Sequence, residues 1–315
     1  MSIFLRGMKM KALKLPLWIL LLFFALFSAS CVHKEIIPPE AMAPPAPPPL
    51  PKPAKIALVL GSGSAKGFAH IGVLKILETN NIPIHMIVGA SAGSIVGSLY
   101  AAGISSFQLQ QLATSVDKGD IVDFVFPDNG FIKGERLAEF VNKKLQNTPM
   151  EELKIPFYTV ATDIQNGEEI VFGRGNTGTA VRASSSVPGV FRPVKIGERL
   201  YVDGAVVSPV PVNAARRYGA DIVIAVDITS DAGPSRPDST METILQTINI
   251  MNAKLAFVQC ARADVLIRPR VGHIGSSDFT KRHEAILEGE KAAAEALPKL
   301  REIIEKLRQE GRLNY

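Results

Sequence analysis

One serine between closely spaced glycines constrains this chain more than any other feature of its sequence. An apolar run over residues 86–88 leads into Gly89-Ala90-Ser91-Ala92-Gly93, and small residues at helical spacing follow. A strand that turns sharply at one serine and continues as a helix is typical of a nucleophile elbow. Glycine is needed on both sides because a side chain there would clash with the strand or helix backbone. The pattern predicts a reactive Ser91, and the alternative is an ordinary strand–helix connection with an exposed serine.

A glycine-rich loop precedes this turn. Residues 56–60 are predicted to form a buried strand, which is followed by Gly61-Ser62-Gly63-Ser64-Ala65-Lys66-Gly67 and then by a helical pattern. Glycines between a strand and a helix expose backbone N–H groups that can hold an anion. A dinucleotide site would need an acidic residue where the serine turn stands, and a phosphate loop would need Ser or Thr directly after the lysine. An oxyanion-binding loop is the remaining interpretation.

The order of predicted elements favours an α/β fold with three layers, in which a mainly parallel central sheet is flanked by helices. We expect the strand that leads to Ser91 to lie beside the strand over 56–60. The predicted strands are 56–60, 84–88, 157–162, 169–172, 222–227 and 265–267, and the predicted helices are 67–78, 94–102, 134–145, 210–217, 241–262 and 284–308. Pro298 is expected to kink or split the last helix.

The first 30 residues resemble an export signal. Four cations precede an apolar run over 15–27, and small residues and then Cys31 follow. Cys31 stands where a bacterial lipoprotein carries its lipidated cysteine, although Ser28 replaces the usual leucine. We predict a lipoprotein signal over 1–30, with an uncleaved anchor or an ordinary cleaved signal as alternatives. Val32, in place of a retention aspartate, predicts attachment to the outer membrane of a Gram-negative cell envelope.

Residues 31–53 are rich in proline, which predicts a semi-rigid extended tether between Cys31 and one large domain over 54–315. The four cations of residues 1–30 supply most of the net charge of +5 and leave +1 for the rest. No nucleic-acid surface is therefore inferred from the charge. With Cys31 acylated, Cys260 has no disulfide partner and is expected to be a small buried side chain.

Asp203 is the candidate base. It lies between an apolar strand and a glycine in Tyr201-Val202-Asp203-Gly204-Ala205, and the alternative is an ordinary Asp-Gly turn. A Ser–Asp–His triad would need a histidine further along the chain, where His273 and His283 lie outside any sharp motif. This favours a dyad in which Asp203 acts directly on Ser91, with the triad as the alternative. Because a carboxylate is a weak base at its usual pKa, a dyad requires desolvation and a good oxyanion hole.

The three motifs together resemble the patatin-like phospholipase family over residues 55–230. Ser91 follows Gly63 by 28 residues, and the Asp-Gly-Ala motif begins at Asp203. The segment over 183–193, Ala-Ser-Ser-Ser-Val-Pro-Gly-Val-Phe-Arg-Pro, is similar to bacterial members and to the neuropathy target esterase branch. The resemblance implies a hydrolase of acyl esters in phospholipids, lysophospholipids or neutral lipids, with membrane lipids as substrate and anchor. It also implies that no metal ion or cofactor takes part.

The resemblance also implies roles for particular residues. It assigns Ser91 as the nucleophile and Asp203 as the base, and it assigns the oxyanion hole to backbone N–H groups. The residues of that hole are Gly63, Ser64 and Ala92, and the remaining motif positions are Gly61, Lys66, Gly67, Gly89, Gly93 and Gly204. Lys66 stands where the family has Arg or Lys, and its alternative is a solvated lysine at a helix start. Ser62 and Ser64 interrupt the family's usual run of glycines.

Several residues outside these motifs carry open alternatives. His70 is expected on the surface of the first helix or in its packing, and Asp163 is expected to satisfy amides at a strand end. Residues 116–131 are either a lipid-facing flap or a buried connection. For the whole chain, the alternatives to a dyad hydrolase are an α/β-hydrolase esterase with a triad and a non-catalytic envelope lipoprotein on a hydrolase scaffold.

Overall fold

The computed structural model describes residues 51–117, 119, 122–123, 131–229 and 237–313. The chain separates into a unit over Met1–Pro49 and a second unit over Leu50–Tyr315, and the second is described here. The predicted signal, Cys31 and most of the tether lie outside the described residues, as does most of the candidate flap.

The elements follow the alternation that the sequence predicts. The strands are β1 (Ile56–Leu60), β2 (Met86–Ala90), β3 (Phe157–Asp163), β4 (Glu169–Phe172), β5 (Val194–Ile196), β6 (Arg199–Asp203), β7 (Ile222–Val226) and β8 (Val265–Ile267). The helices are α1 (Phe68–Thr79), α2 (Ala92–Ala101), α3 (Ser106–Ser115), α4 (Glu135–Lys144), α5 (Thr177–Ser184), α6 (Val212–Arg217), α7 (Thr240–Cys260) and α8 (Arg282–Gln309).

The strands form one mainly parallel sheet. Its order is β5-β6-β3-β2-β1-β7-β8, and β4 pairs with β3 beside this path. The pairs β1–β2, β1–β7, β2–β3 and β7–β8 are parallel, whereas β4, β5 and β6 run antiparallel to their neighbours. The expected pairing of β1 with the strand before Ser91 is confirmed. Both strands therefore deliver their carboxyl ends, and the motifs that follow them, to the same edge.

Helices cover both faces of the sheet. Alternate residues of a strand point to opposite faces, and in β1 Ile56, Leu58 and Leu60 join one core cluster while Ala57 and Val59 join another. The first cluster includes side chains of α1, α3, α4 and α8, and the second includes side chains of α6 and α7. A strand buried on both faces reads as a continuous apolar run, which is why 56–60 is recognisable in the sequence. The fold is a three-layer α/β fold.

The predicted helices differ from the structure at two places. Of the kink and the split expected as alternatives at Pro298, the split is wrong, because α8 continues through this residue. Pro298 and Ala294 are both exposed, so the Ala294 carbonyl that loses its helical partner can bond to water. Helix α3 was not predicted, although Ser105 begins it with a capping box in which its side chain accepts from Gln108 N–H.

None of the helices in the described part of the chain is long and apolar enough to span a membrane.

Candidate active site

Ser91 occupies a sharp turn between β2 and α2. Its φ of 50° and ψ of −121° are uncommon for a residue with a side chain and indicate local backbone strain. The turn is held from both sides of the residue: Ser91 N–H donates to Ser184 Oγ at 3.0 Å, and Ser91 C=O accepts from Ser94 Oγ at 2.6 Å. The predicted strand–turn–helix arrangement is therefore present, and Ser184 and Ser94 fix its geometry.

Close backbone approaches explain the glycines around this serine. A Cβ at Gly93 would collide with Leu60 C=O, and one at Gly89 would lie 2.6 Å from Ser94 Cα. These are the clashes that the motif predicts. Of the other motif glycines, Gly61 lies against Val226 C=O, Gly67 against Ala92 Cβ, and Gly204 against Val160 C=O.

Asp203 meets Ser91 directly. It ends β6, where it is paired with Ala161 of β3, and β3 in turn pairs with the strand that carries Ser91. Ser91 Oγ donates to Asp203 Oδ2 at 2.6 Å, and Ala205 N–H donates to Asp203 Oδ1 at 2.8 Å. Two residues 112 positions apart in the chain thus share a hydrogen bond. The alternative of an ordinary Asp-Gly turn does not account for Asp203, because Oδ2 of its carboxylate accepts the hydrogen bond from Ser91.

Burial changes the acidity of Asp203. The side chain is almost fully buried, and loss of hydration raises its pKa from 3.8 to about 6. The hydrogen bonds from Ser91 and Ala205 act in the opposite direction and are the smaller effects. Asp203 is therefore a stronger base than an exposed aspartate while still ionised at neutral pH.

The glycine loop lies where β1 ends and leaves two backbone donors unused. Ser62 N–H donates to Pro209 C=O at 2.8 Å, and Ala65 N–H donates to Ser276 C=O at 3.1 Å. Between them, Gly63 and Ser64 make no hydrogen bond through their N–H groups within the described part of the chain, and the same holds for Ala92 N–H at the start of α2. These are the three donors that the resemblance assigns to an oxyanion hole.

Burial decides between the alternatives that the sequence left open for Lys66 and His70. Lys66 is only 8% exposed, and burial lowers its pKa, against the opposing effect of the Asp227 carboxylate. The alternative of a solvated lysine is therefore wrong.

His70 is fully buried, which lowers its pKa to about 4 and keeps the ring neutral at pH 7. Its Nε2 lies 2.8 Å from Gly61 O, so this nitrogen carries the proton and donates to the carbonyl that begins the glycine loop. Of the two alternatives for His70, the surface position is wrong and the position in the packing of the helix is confirmed. The apolar helical pattern around His70 did not predict its contact with Gly61 of the glycine loop.

The late histidines do not complete a triad. His273 Nε2 lies 2.6 Å from Glu284 Oε1, and both His273 and His283 are exposed. In the described residues, neither hydrogen-bonds to Ser91 or Asp203.

Other side chains have structural roles. Asp163 Oδ1 accepts from Gln165 N–H at 2.9 Å, as expected for a strand end. Cys260 is buried, as expected, and burial raises the pKa of its thiol to about 12. Over the residues that the structure describes, no group of three His, Cys, Asp or Glu side chains is arranged to hold a metal ion.

Comparisons with known proteins address the family and the fold of this chain. Residues 58–216, about half of the chain, match the family model described as patatin-like phospholipase. An uncharacterised NTE family protein of Mycobacterium tuberculosis is 35% identical over 216 residues, which are 66% of this chain and 59% of that relative. The human patatin-like phospholipase domain-containing protein 6 is 35% identical over 184 residues, which are 56% of this chain and 13% of that protein.

The match thus spans little more than half the length of the mycobacterial relative and a small part of the human one. In fold, the chain is similar to the crystal structure of VipD from Legionella pneumophila, with a TM-score of 0.54 and 13% identity over 79% of this chain and 67% of VipD. Since the family model covers the glycine loop, the Ser91 turn and Asp203, the chain belongs to the patatin-like phospholipase family.

Proposed function

We propose that this protein is a serine hydrolase of lipid acyl esters, of the phospholipase A or lysophospholipase type, that works through a Ser91–Asp203 dyad. The observation that carries the proposal is the 2.6 Å hydrogen bond from Ser91 Oγ to the buried carboxylate of Asp203. Membership of the patatin-like phospholipase family supports hydrolysis of a lipid ester as the reaction. The exposed positions of His273 and His283 support a dyad over a triad.

The reaction begins when Asp203 takes the proton of Ser91 as Oγ attacks the ester carbonyl. The N–H groups of Gly63, Ser64 and Ala92 donate to the oxygen that becomes negative, and the N-terminus of α2 favours the same charge. Asp203 then passes its proton to the departing alcohol, which leaves an acyl group on Ser91. Asp203 then deprotonates a water molecule that attacks this acyl-enzyme. It returns the proton to Ser91 Oγ as the bond between Oγ and the acyl group breaks, so the carboxylic acid leaves and the free serine is restored.

The test is the hydrolysis of p-nitrophenyl butyrate together with labelling by a fluorophosphonate. Ser91→Ala removes one hydroxyl and no packing, so we expect complete loss of turnover and labelling in a folded protein. Ser98→Ala is the matched control, because Ser98 is a buried serine of α2, the helix that follows Ser91, and its Oγ donates to Ile95 C=O at 2.9 Å. Retention of a tenth of the activity in Ser91→Ala would exclude Ser91 as the nucleophile. A large loss in His273→Ala or His283→Ala would replace the dyad with a triad.

We also propose that residues 1–30 are a lipoprotein signal and that acylated Cys31 attaches the domain to the outer membrane. The apolar run, the small residues before Cys31 and the proline-rich segment after it support this. Cys31→Ser is expected to abolish incorporation of labelled palmitate and to release the protein from the membrane fraction. Cys260→Ser is the control, because Cys260 is buried within the domain. This variant should still incorporate palmitate and stay in the membrane fraction. Palmitate labelling that persists in Cys31→Ser would exclude this anchor.

A further inference from the structure

An apolar pocket adjoins the glycine loop. Ser64, Ala65, Gly67 and Ala92 line one part of it, so it borders two of the three donors assigned to the oxyanion hole. Most of its other walls are apolar side chains of α1, α2, α3 and α4, and it holds about 650 Å³ of space when its open mouth is included. A concave, mainly apolar site beside a few polar groups is typical of a pocket that binds an organic ligand.

The pocket extends away from Ser91 along α2. Ala92 and Leu99 both line it, and they are seven residues apart in one helix. With a rise of 1.5 Å per residue, the pocket is about 10 Å long in this direction. This length suits roughly eight carbons of an extended alkyl chain, whose C–C bonds are ~1.5 Å long.

The lining decides which part of an ester can enter. Ser64 supplies the polar side chain of the lining, and the remaining lining residues are apolar or glycine. A charged or hydroxylated head group would lose its hydration there without gaining partners. Each methylene group, by contrast, gains roughly fourfold in binding when it is buried in such a site. Because the head group is attached to the alcohol, the acyl chain is the part of the ester that fits.

We propose that this pocket binds the acyl chain of the ester attacked by Ser91 and that helix α3 limits the length of that chain. The proposal rests on the function proposed above. Ala113 of α3 lines the pocket and is buried, so a larger side chain at this position fills space that the chain would otherwise occupy. Phe140 of α4 also lines the pocket, and its removal lengthens or widens the space.

The test measures kcat/KM for p-nitrophenyl esters from acetate to palmitate. Ala113→Phe is expected to lower kcat/KM for the decanoate at least tenfold while changing that for the acetate less than twofold. Thr114→Phe is the matched control, since Thr114 is the exposed neighbour on the same helix and does not line the pocket. Phe140→Ala is expected to move the preferred chain to a longer acyl group.

A second series keeps the acyl group as butyrate and lengthens the alcohol. Ala113→Phe should leave the dependence on alcohol length unchanged, and a selective loss with long alcohols would overturn the proposal. An equal loss for all acyl lengths in a variant that keeps its fluorophosphonate labelling would also overturn it. If Ala113→Phe does not fold, Ala113→Leu and Phe140→Ala carry the same comparison. Activity that survives in Ser91→Ala would instead defeat the proposed function, so the two failures are distinguishable.

Discussion

At the scale of single residues, the site combines a strained serine with a desolvated carboxylate. Ser91 keeps a positive φ because its N–H and C=O groups are bonded to the side chains of Ser184 and Ser94. Asp203 is kept out of water next to it, and burial raises the pKa of its carboxyl group to about 6. Both features cost free energy in the folded protein, and both suit the proposed reaction because they aim the hydroxyl and strengthen the base.

The raised pKa of Asp203 predicts the pH dependence of turnover. Only the ionised carboxylate can accept the Ser91 proton, so kcat/KM should rise with pH, reach half its maximum near pH 6 and then level off. The measurement is kcat/KM for an uncharged ester between pH 4.5 and 8.5. Asp203→Asn is expected to lower the plateau by several orders of magnitude. A midpoint near pH 4 would contradict a desolvated base.

The stability of the Asp203→Asn variant is an independent check of the raised pKa of Asp203. A carboxyl group with a raised pKa stabilises the fold at low pH, and this contribution is lost as the pH rises through about 6. Asparagine does not ionise, so Asp203→Asn should be more stable relative to the wild-type protein at pH 8 than at pH 4. Thermal unfolding at the two pH values measures this difference. An equal difference in stability at the two pH values would mean that a group other than Asp203 sets the midpoint of the kcat/KM profile.

At the scale of elements, the glycine loop is held at its flanks, while the N–H groups of Gly63 and Ser64 in its middle have no hydrogen-bond partner among the described residues. Hydrogen bonds from Ser62 N–H and Ala65 N–H hold its two ends, and His70 Nε2–H holds Gly61 C=O. Gly63 lies so close to Ile228 that an added Cβ would be 2.8 Å from that side chain and 3.1 Å from its carbonyl oxygen. A bulky side chain at Gly63 would therefore press on Ile228 and shift the loop segment that presents the N–H groups of Gly63 and Ser64.

Substitutions in this loop separate backbone donors from side-chain chemistry. Gly63→Val is expected to displace the donors and lower kcat by about 100- to 1,000-fold, the usual effect of losing one oxyanion donor. The loss should appear in kcat rather than in KM, because the oxyanion exists only near the transition state. Ser64→Ala keeps the backbone N–H and should change kcat less than threefold. Comparable losses in the two variants would show that the Ser64 hydroxyl takes part and that the loop is not a backbone oxyanion hole.

At the scale of the whole molecule, the C-terminal segments support the site. Ser276 C=O, in the segment between β8 and α8, accepts from Ala65 of the glycine loop. Gln259 of α7 accepts from Val210 N–H and donates to Val207 C=O, close behind Asp203 in the chain. Helix α8 packs on α1 so closely that a Cβ at Gly72 would collide with Ile286 C=O, and one at Gly289 with Ala69 C=O. The part of the chain beyond the family match is therefore needed to complete the domain.

This close crossing predicts an unusual effect of alanine. Gly→Ala inside a helix normally stabilises a protein by about 1 kcal/mol. Gly289→Ala should instead destabilise the domain by about 1 to 3 kcal/mol, because α8 must move away from Ala69. Urea denaturation of the variant measures the change in the free energy of unfolding. Gly275→Ala is the control, since its Cβ would meet Asp278 Cβ only at 3.7 Å, and it should lie within about 0.5 kcal/mol of wild type. A stabilised Gly289→Ala would show that the two helices are not in close contact.

The sequence by itself determined the features that depend on neighbouring residues. Strands β1, β4 and β8 begin and end where the apolar runs predict, and the glycine spacing around Ser91 predicted the strand–helix turn. Such signals are local, because buried strands need continuous apolar residues and tight turns need residues without side chains. Helix α3 escaped prediction even though its capping box is also local, because its short apolar pattern is weak.

Only the tertiary structure decided which distant groups meet and which are removed from water. The pairing of β3 with β6 brings Asp203 to Ser91 across 112 residues, and no local pattern specifies the register of two strands so far apart. The burial of Lys66 and His70 and the raised pKa of Asp203 likewise depend on segments that pack around them from elsewhere in the chain. Motif spacing therefore identified the candidate chemical groups, while long-range packing decided their contacts and their acidity, because desolvation is a property of the assembled fold.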